Sequence, residues 1–535
     1  MNRLTKITLL ILGISLLVTN CGPQKETTKI PEKEAGLPGT WPFAVTYEIF
    51  VQSFYDSNGD GIGDIPGMTS KLDYLQELGI QAVWLMPIMP SPSYHKYDVT
   101  DYKGIHPDYG TEEDFRRFTD EAHKRGIRVV IDFIINHTDK SHPWFMESKK
   151  GRNITNQQGE EVPNPYWDYY EWKTLKAIKK EGTMTKESEG DSDNIVKWYE
   201  VEGMEQLYYG YFGSHMPDIN FDNEVVKQEV FEIGKWWLSE MGIDGFRLDA
   251  AKHIFDHYPE KNHSFWIEFR EAMQTVKQDV YLVGEVWADA ETVAPYLQGL
   301  PASFNFDMGY AIVNAVNNGS DTSLVKRYKE ITEYYQSVTE DFIDATFIRN
   351  HDQNRVLNDV GGDLRKAKMA ASLLLTLPGS PYLYYGEEIG MAGQKPDEHI
   401  REPFLWDMKE NDSGRPTWIE AKYSTDEMVV SLSQQMEDQK SLYNHYKTLI
   451  KLRNNHKALT FGDINITDLS DDRLISFTRE SEGHTALVIH NISPESVTID
   501  LSGTRQRELL FSTDPDFSTV VSPATLPGFS TVILN

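Results

Sequence analysis

The chain has 535 residues, 39% hydrophobic and 12% aromatic, enough to bury a large core and to form more than one domain. A formal net charge of −30 excludes nucleic acid and anionic lipid headgroups as charge-matched partners and suits a neutral substrate. A single cysteine excludes an internal disulfide framework.

That cysteine sits near the start. Arg3 and Lys6 form a basic region, residues 7–18 are an apolar run too short to span a bilayer comfortably, and Cys21 follows. The pattern resembles a bacterial lipoprotein signal, although Asn20 departs from the small residue usual before the cysteine. It implies a signal peptide over residues 1–20, lipidation at Cys21 and an exported protein held at the cell envelope. Residues 21–40, rich in Lys, Glu, Thr and Pro, read as a flexible tether. The lipid anchor is then the only membrane contact, and the chain is expected to act as a monomer.

Structure is expected from about Trp41. Residues 46–51 read as a first strand, followed by Asp56-Ser57-Asn58-Gly59-Asp60-Gly61-Ile62-Gly63-Asp64. Asp56, Asn58, Asp60 and Asp64 place oxygens at positions 1, 3, 5 and 9, with the Ile62 carbonyl at position 7, as in the first part of a calcium loop. Gly67 stands where a bidentate Glu belongs, so this is no EF-hand; the plainer reading is a polar turn, and the Ca2+ reading is preferred. Residues 82–87 form a second strand, and the loop after it carries Tyr94 and Tyr97. Thr111 caps a helix to about Arg125, and residues 127–137 form a third strand. From 138 to 214 the β-then-α rhythm stops, which marks an inserted subdomain. Its cluster Tyr166, Trp167, Tyr169, Tyr170 and Trp172 forms either its small core or part of a cleft. The rhythm resumes with a helix over 224–241 and strands at 245–248, 280–285, 303–308, 345–352 and 381–388. Eight such units predict a closed parallel (β/α)8 barrel, an α/β fold. A helix over 439–456 ends it, and short alternating runs from 458 to 535 predict a C-terminal antiparallel β-domain. The barrel thus comprises 41–137 and 215–457, with 138–214 inserted.

Three predicted strands end in carboxylates: Asp249, Glu285 and Asp352, the last after His351. Acidic strand ends of a parallel barrel converge at its C-terminal face. Strand alternation puts Arg247 on the same side as Asp249, where its guanidinium would hold that carboxylate ionised, as a nucleophile requires. A purely structural Arg–Asp pair is the alternative for that dipeptide alone.

With these stretches in order, the chain resembles the α-amylase family of glycoside hydrolases, family 13, from about Trp41 to its end. Asp132-Phe133-Ile134-Ile135-Asn136-His137, Gly245 to His253, Gly284-Glu285-Val286-Trp287 and Phe347 to Asp352 carry its four motifs. Met216-Pro217-Asp218-Ile219-Asn220 looks intermediate between oligo-1,6-glucosidases and neopullulanases, the group that holds lipoprotein-type α-amylases. The resemblance implies Asp249 as nucleophile, Glu285 as acid and base, and Asp352 as the third carboxylate on the sugar. It implies His137 and His351 as hydrogen-bond partners of the same glucose and Tyr97 beneath it. Glu285 should have a pKa raised by its carboxylate neighbours, and the two reacting carboxyls should lie about 5–5.5 Å apart, as retention requires. Asp98 would pair with an arginine, Arg401 would lie near the site, and Asn136 would offer a second calcium position between barrel and insert. Tyr94 in place of a cleft-blocking Asp, and Lys252-His253 on the leaving-group side, imply an endo-acting α-1,4-glucanase; a solvated helix start is the bland reading of Lys252-His253. The implied substrate is starch or a maltooligosaccharide. The rivals are a 4-α-glucanotransferase, isomerase, α-glucosidase or neopullulanase on the same fold, and a non-catalytic glycan-binding lipoprotein.

Overall fold

The computed structural model describes residues 42–188, 194–256, 258–504, 508–517, 520 and 522–535. Cys21, the signal peptide and the tether lie outside the described residues.

Eight parallel strands close into a barrel: β1 (Thr46–Ile49), β2 (Ala82–Leu85), β3 (Arg128–Phe133), β4 (Gly245–Leu248), β5 (Tyr281–Gly284), β6 (Ala302–Phe304), β7 (Ile343–Phe347) and β8 (Ser380–Tyr384), with β8 paired back to β1. The strands are short and buried on both faces, because helices cover the outside and side chains fill the inside. Trp84, Val130, Val283, Phe304, Phe347 and Tyr382 belong to the inner layer. Strand alternation also sends polar groups inward. Glu48 sits in register with Trp84 and Tyr384, and Asp132 with Arg247.

Several strands end earlier than the sequence suggests. The third predicted strand stops at Phe133, the seventh at Phe347 and the eighth at Tyr384. Residues 303–308 were expected to be one strand. Instead β6 stops at Phe304, and Asn305 accepts the amide of Met308 at 3.0 Å to start a helix, Phe306–Asn318. The alternation of Phe304, Phe306 and Met308 mimics a strand, but the cap decides the local structure. Glu387 and Glu388 lie in a 3₁₀ turn after β8, both buried.

The insert between β3 and β4 holds a three-stranded antiparallel sheet of Trp172–Thr174, Gln206–Tyr209 and Trp198–Glu200. Bridges from His137 to Asp218 and from Tyr170 to Ile219 tie it to the barrel. Its aromatic cluster packs largely upon itself: Tyr170 is buried, and Trp172 lies between Phe145 and Trp167 in near-parallel stacking. After the barrel, β9 (Asp463–Ile466), β10 (Leu474–Ser481), β11 (His484–Asn491), β12 (Leu509–Ser512) and β13 (Ser530–Leu534) form an antiparallel sheet. Among the described residues no helix is long and apolar enough to cross a membrane.

Candidate active site

The site is built around one guanidinium. Arg247 projects from β4 into the barrel, and Asp132, its register neighbour on β3, accepts from Nη1 at 2.9 Å. The same Nη1 reaches Asp249 Oδ1 at 2.5 Å, and Nη2 meets Glu285 Oε1 at 2.7 Å. One buried cation therefore bridges three carboxyl groups on three neighbouring strands. Glu285 follows β5, where its Oε2 also accepts from the amide of Ala250 at 3.2 Å. Ala250 takes a left-handed φ of 47°, an uncommon backbone for a residue with a Cβ, which turns the chain sharply after Asp249.

Charge and burial separate the carboxyls. Burial pushes Glu285 up to about 8; Arg247 opposes the rise, and Asp249 and Asp352 add to it. Burial is thus the main cause, ahead of the neighbouring carboxylates that the sequence suggested. Asp132 is also pushed up by burial, to about 7, against the pull of Arg247. Asp352 goes the other way: burial would raise it, but His351 and Arg401 hold it below the usual carboxylate range.

Asp352 accepts from Arg401 Nη2 at 2.9 Å and from His351 Nε2 at 3.1 Å. His351 in turn stacks on Tyr97, with ring centroids 5.4 Å apart and planes 13° apart, and its Nε2 lies 2.6 Å from Tyr97 Oη. Its Nδ1 faces Glu48 Oε1 at 2.5 Å. Tyr97 Oη donates to Asp132 at 3.0 Å, which joins the histidine cluster to the arginine cluster. Glu48, on β1, was not singled out from the sequence. Its signal was faint: a lone acid inside an apolar strand, with nothing to name its partner.

The remaining predicted residues lie at varied distances from this centre. Tyr94 stacks on Trp418, with centroids 5.3 Å apart, and its hydroxyl accepts from Arg401 at 3.2 Å. Lys252 donates to the Trp287 carbonyl at 3.2 Å. His137 is buried, its Nε2 against the Tyr97 carbonyl at 3.1 Å. His253 is buried against Tyr211, ring centroids 4.0 Å apart, and borders a cavity of about 570 Å³ between insert and barrel with Asp218 and Asp256. Asn136 donates to the His253 carbonyl at 2.5 Å. Asp98 differs from expectation. Its partners are the hydroxyls of Ser91, at 2.5 Å, and Ser93, and among the described residues no arginine pairs with it.

The loop over 56–64 is a ladder of side chain to backbone bonds. Asp56 accepts the amides of Gly59 and Gly61 at 2.7 and 2.8 Å, Asn58 that of Asp60, and Asp60 that of Ile62. Asp64 accepts from Ser57 and caps the next helix through Gly67 at 2.6 Å. Among the described residues no group of three or more His, Cys, Asp or Glu side chains is placed to hold a metal ion as it stands.

The comparisons with known proteins agree with this architecture. The family described as "Alpha amylase, catalytic domain" matches residues 48–462, and "Alpha-amylase SusG C-terminal domain" matches 474–533. The chain is 42% identical over 492 residues to Alpha-amylase 3 of Dictyoglomus thermophilum, covering 92% of this chain and 93% of that protein. It is 33% identical to a 4-alpha-glucanotransferase of Thermotoga neapolitana, covering 84% and 96%. The crystal structure of an alpha-amylase from H. orenii superposes with a TM-score of 0.83 at 42% identity, over 92% of this chain and 99% of that one. The closed barrel, the three bridged carboxyl groups and these matches lead to one conclusion: the chain is a glycoside hydrolase and belongs to the α-amylase family.

Proposed function

We propose that the protein is a retaining, endo-acting α-amylase that cleaves internal α-1,4 bonds of starch and maltooligosaccharides. The observation that carries the reading is the shared guanidinium: Arg247 binds Asp249 through Nη1 and Glu285 through Nη2, and Glu285 is pushed up to about 8. Both carboxyls share one cation, and Glu285, pushed up by burial, keeps its proton at neutral pH, as the acid of glycoside hydrolysis must.

Asp249 attacks the anomeric carbon as the Glu285 proton passes to the glycosidic oxygen, giving a covalent glycosyl ester and a free chain end. The Glu285 carboxylate so formed stays against Arg247 Nη2, which stabilises it. It then takes a proton from water, whose oxygen displaces Asp249. Asp352, held ionised by His351 and Arg401, grips sugar hydroxyls and favours the charge that develops on the ring. The endo reading is supported at position 94. A tyrosine stacked on Trp418 stands there, and Arg401 pairs with Asp352 and Asp397 rather than with a carboxylate at 94.

Chromatography of products from maltoheptaose and soluble starch tests this. A spread of shorter maltooligosaccharides, absent with Glu285→Gln, is expected; glucose alone points to an α-glucosidase. The relative named 4-alpha-glucanotransferase gives a second reading, in which a sugar hydroxyl replaces water in the second step. Products longer than the substrate at high maltotriose identify it.

The residues of the 56–64 loop fit a calcium ion by donor chemistry. Among the described residues none of Asp56, Asp60 and Asp64 makes an ion pair, and their oxygens with those of Asn58 and the Ile62 carbonyl are hard donors. A bound ion would offset most of the loop's negative charge and brace the β1 end of the barrel. Calcium titration calorimetry should show binding to the metal-free protein that Asp60→Ala abolishes; equal heats in both proteins remove the assignment. Lipidation at Cys21 and attachment at the cell envelope remain part of the proposal, supported by the basic and apolar run before that cysteine. Mass spectrometry of the mature protein should find a diacylated or triacylated Cys21.

A further inference from the structure

His351 is enclosed on every side. Glu48 from β1 meets its Nδ1 at 2.5 Å, and Asp352 meets its Nε2 at 3.1 Å. Tyr97 stacks on the ring and places Oη 2.6 Å from Nε2; Trp84 from β2 meets it edge-on at 5.6 Å; and Arg401 donates through Nε to its carbonyl at 3.1 Å. The direction of the protons follows from these contacts. Tyr97 spends its own proton on Asp132, so its oxygen is free to accept from Nε2. Glu48 is an acceptor at Nδ1. Both ring nitrogens are therefore asked to donate, and only the imidazolium form does so.

We propose that Glu48 is a positioning residue for the reaction: it keeps His351 doubly protonated and fixed in plane, so that the ring presents an N–H to Asp352 and Tyr97 throughout the catalytic cycle. The inference rests on the reading of Asp352 and Tyr97 as sugar-contacting groups and goes beyond it, since Glu48 touches no substrate. With a neutral residue at position 48, the ring would carry one proton. Placed on Nδ1 toward the new partner, that proton would leave a bare Nε2 lone pair facing the Asp352 carboxylate, and that repulsion would turn the third carboxylate away from the sugar. Burial works against the charged ring, and the two flanking carboxylates outweigh it, which pushes His351 up to about 10. Glu48 is itself buried, so its charge acts without screening by solvent.

The test uses the full chain and the isosteric change Glu48→Gln, which keeps an acceptor oxygen but removes the charge. Nitrogen-15 NMR of labelled histidine in the free enzyme should show His351 as imidazolium at about pH 8, above the ordinary histidine range. In Glu48→Gln the same ring should titrate to the neutral form. On maltotriose, kcat of the variant should fall about 10- to 100-fold at pH 8 and by less near pH 5.5, where the ring regains its proton, with KM changed little. Glu48→Asp should restore the wild-type pH profile in part. A neutral His351 in the wild-type protein at pH 8 overturns the proposal, as does a Glu48→Gln profile that superimposes on the wild type. If Glu48→Gln fails to fold, the wild-type NMR measurement alone decides. Because it is made without substrate, its outcome is separate from that of Glu285→Gln, which tests the catalytic assignment itself.

Discussion

At the scale of single residues, the chemistry depends on Glu285 reaching the Michaelis complex protonated. Its folded-state pKa lies above the ordinary glutamate value, so the competent form is present below about 8 and is lost as the pH rises through it. The alkaline limb of kcat/KM should therefore fall with a midpoint near 8, because that ratio reports groups of the free enzyme. Raising the salt concentration should move it little, since the group is buried. Replacing Glu285 with Gln should remove the limb together with nearly all turnover. A limb that lies more than about one unit away, or that persists in the Gln variant, contradicts the assignment. The three acids were legible in the sequence because each ends an apolar strand, and the family motifs fixed their order. Glu48 and the role of Asp132 were not. A carboxylate within a strand can face the barrel interior or a helix, and only closure of β8 onto β1 brings Glu48 to His351.

Secondary structure elements show where local rules decide and where they mislead. Thr111 caps the helix Glu112–Lys124 in a full capping box with Asp114, a pattern readable from the sequence alone. Asn305 was missed because the residues around it alternate like a strand, yet it does more. It caps Met308, and its amide donates to both oxygens of the buried Asp344 at 3.0 and 3.1 Å. The two caps should therefore differ in cost. Thr111→Ala removes an exposed cap worth about 1 kcal/mol. Asn305→Ala removes a cap and leaves a buried carboxyl with Tyr328 as its remaining side-chain donor, about 2–3 kcal/mol in all. Thermal midpoints should rank wild type above Thr111→Ala and Thr111→Ala well above Asn305→Ala. Equal midpoints for the two variants would mean that Tyr328 alone satisfies Asp344.

For the whole molecule, the same barrel keeps chemistry and assembly at opposite ends. The reacting carboxyls follow strand C-termini, whereas the C-terminal sheet is fastened at the other end, where the helix Leu364–Thr376 leads into β8. Two buried arginines make the joint. Arg453, from the helix Leu442–Asn455, donates to the carbonyls of Leu375, Leu377 and Gly379 at 3.0, 2.7 and 2.6 Å. Arg479, from β10, donates to Thr376 at 2.5 Å and to Gly462 at 2.9 Å. Neither was singled out from the sequence, although Arg453 falls on the apolar stripe of its helix and Arg479 shares a strand face with Ile475 and Phe477. What they hold was not legible, because their partners are backbone carbonyls, which carry no sequence identity. Burial lowers the pKa of each guanidinium, and for Arg479 repulsion from Arg453 adds to the effect, so each makes the other less favourable. Arg479→Met leaves two buried carbonyls unpaired but relieves that repulsion, for a net loss of about 2–4 kcal/mol. The double change Arg453→Met with Arg479→Met should cost more than the sum of the single changes, because each single change already relieves the whole repulsion and the double relieves it only once. Turnover at about 25 °C should be unchanged in Arg479→Met, since no group near Asp249 moves while the thermal midpoint falls by several degrees. A fall in kcat that parallels the fall in midpoint would instead show that the joint at one end of the barrel sets the geometry at the other.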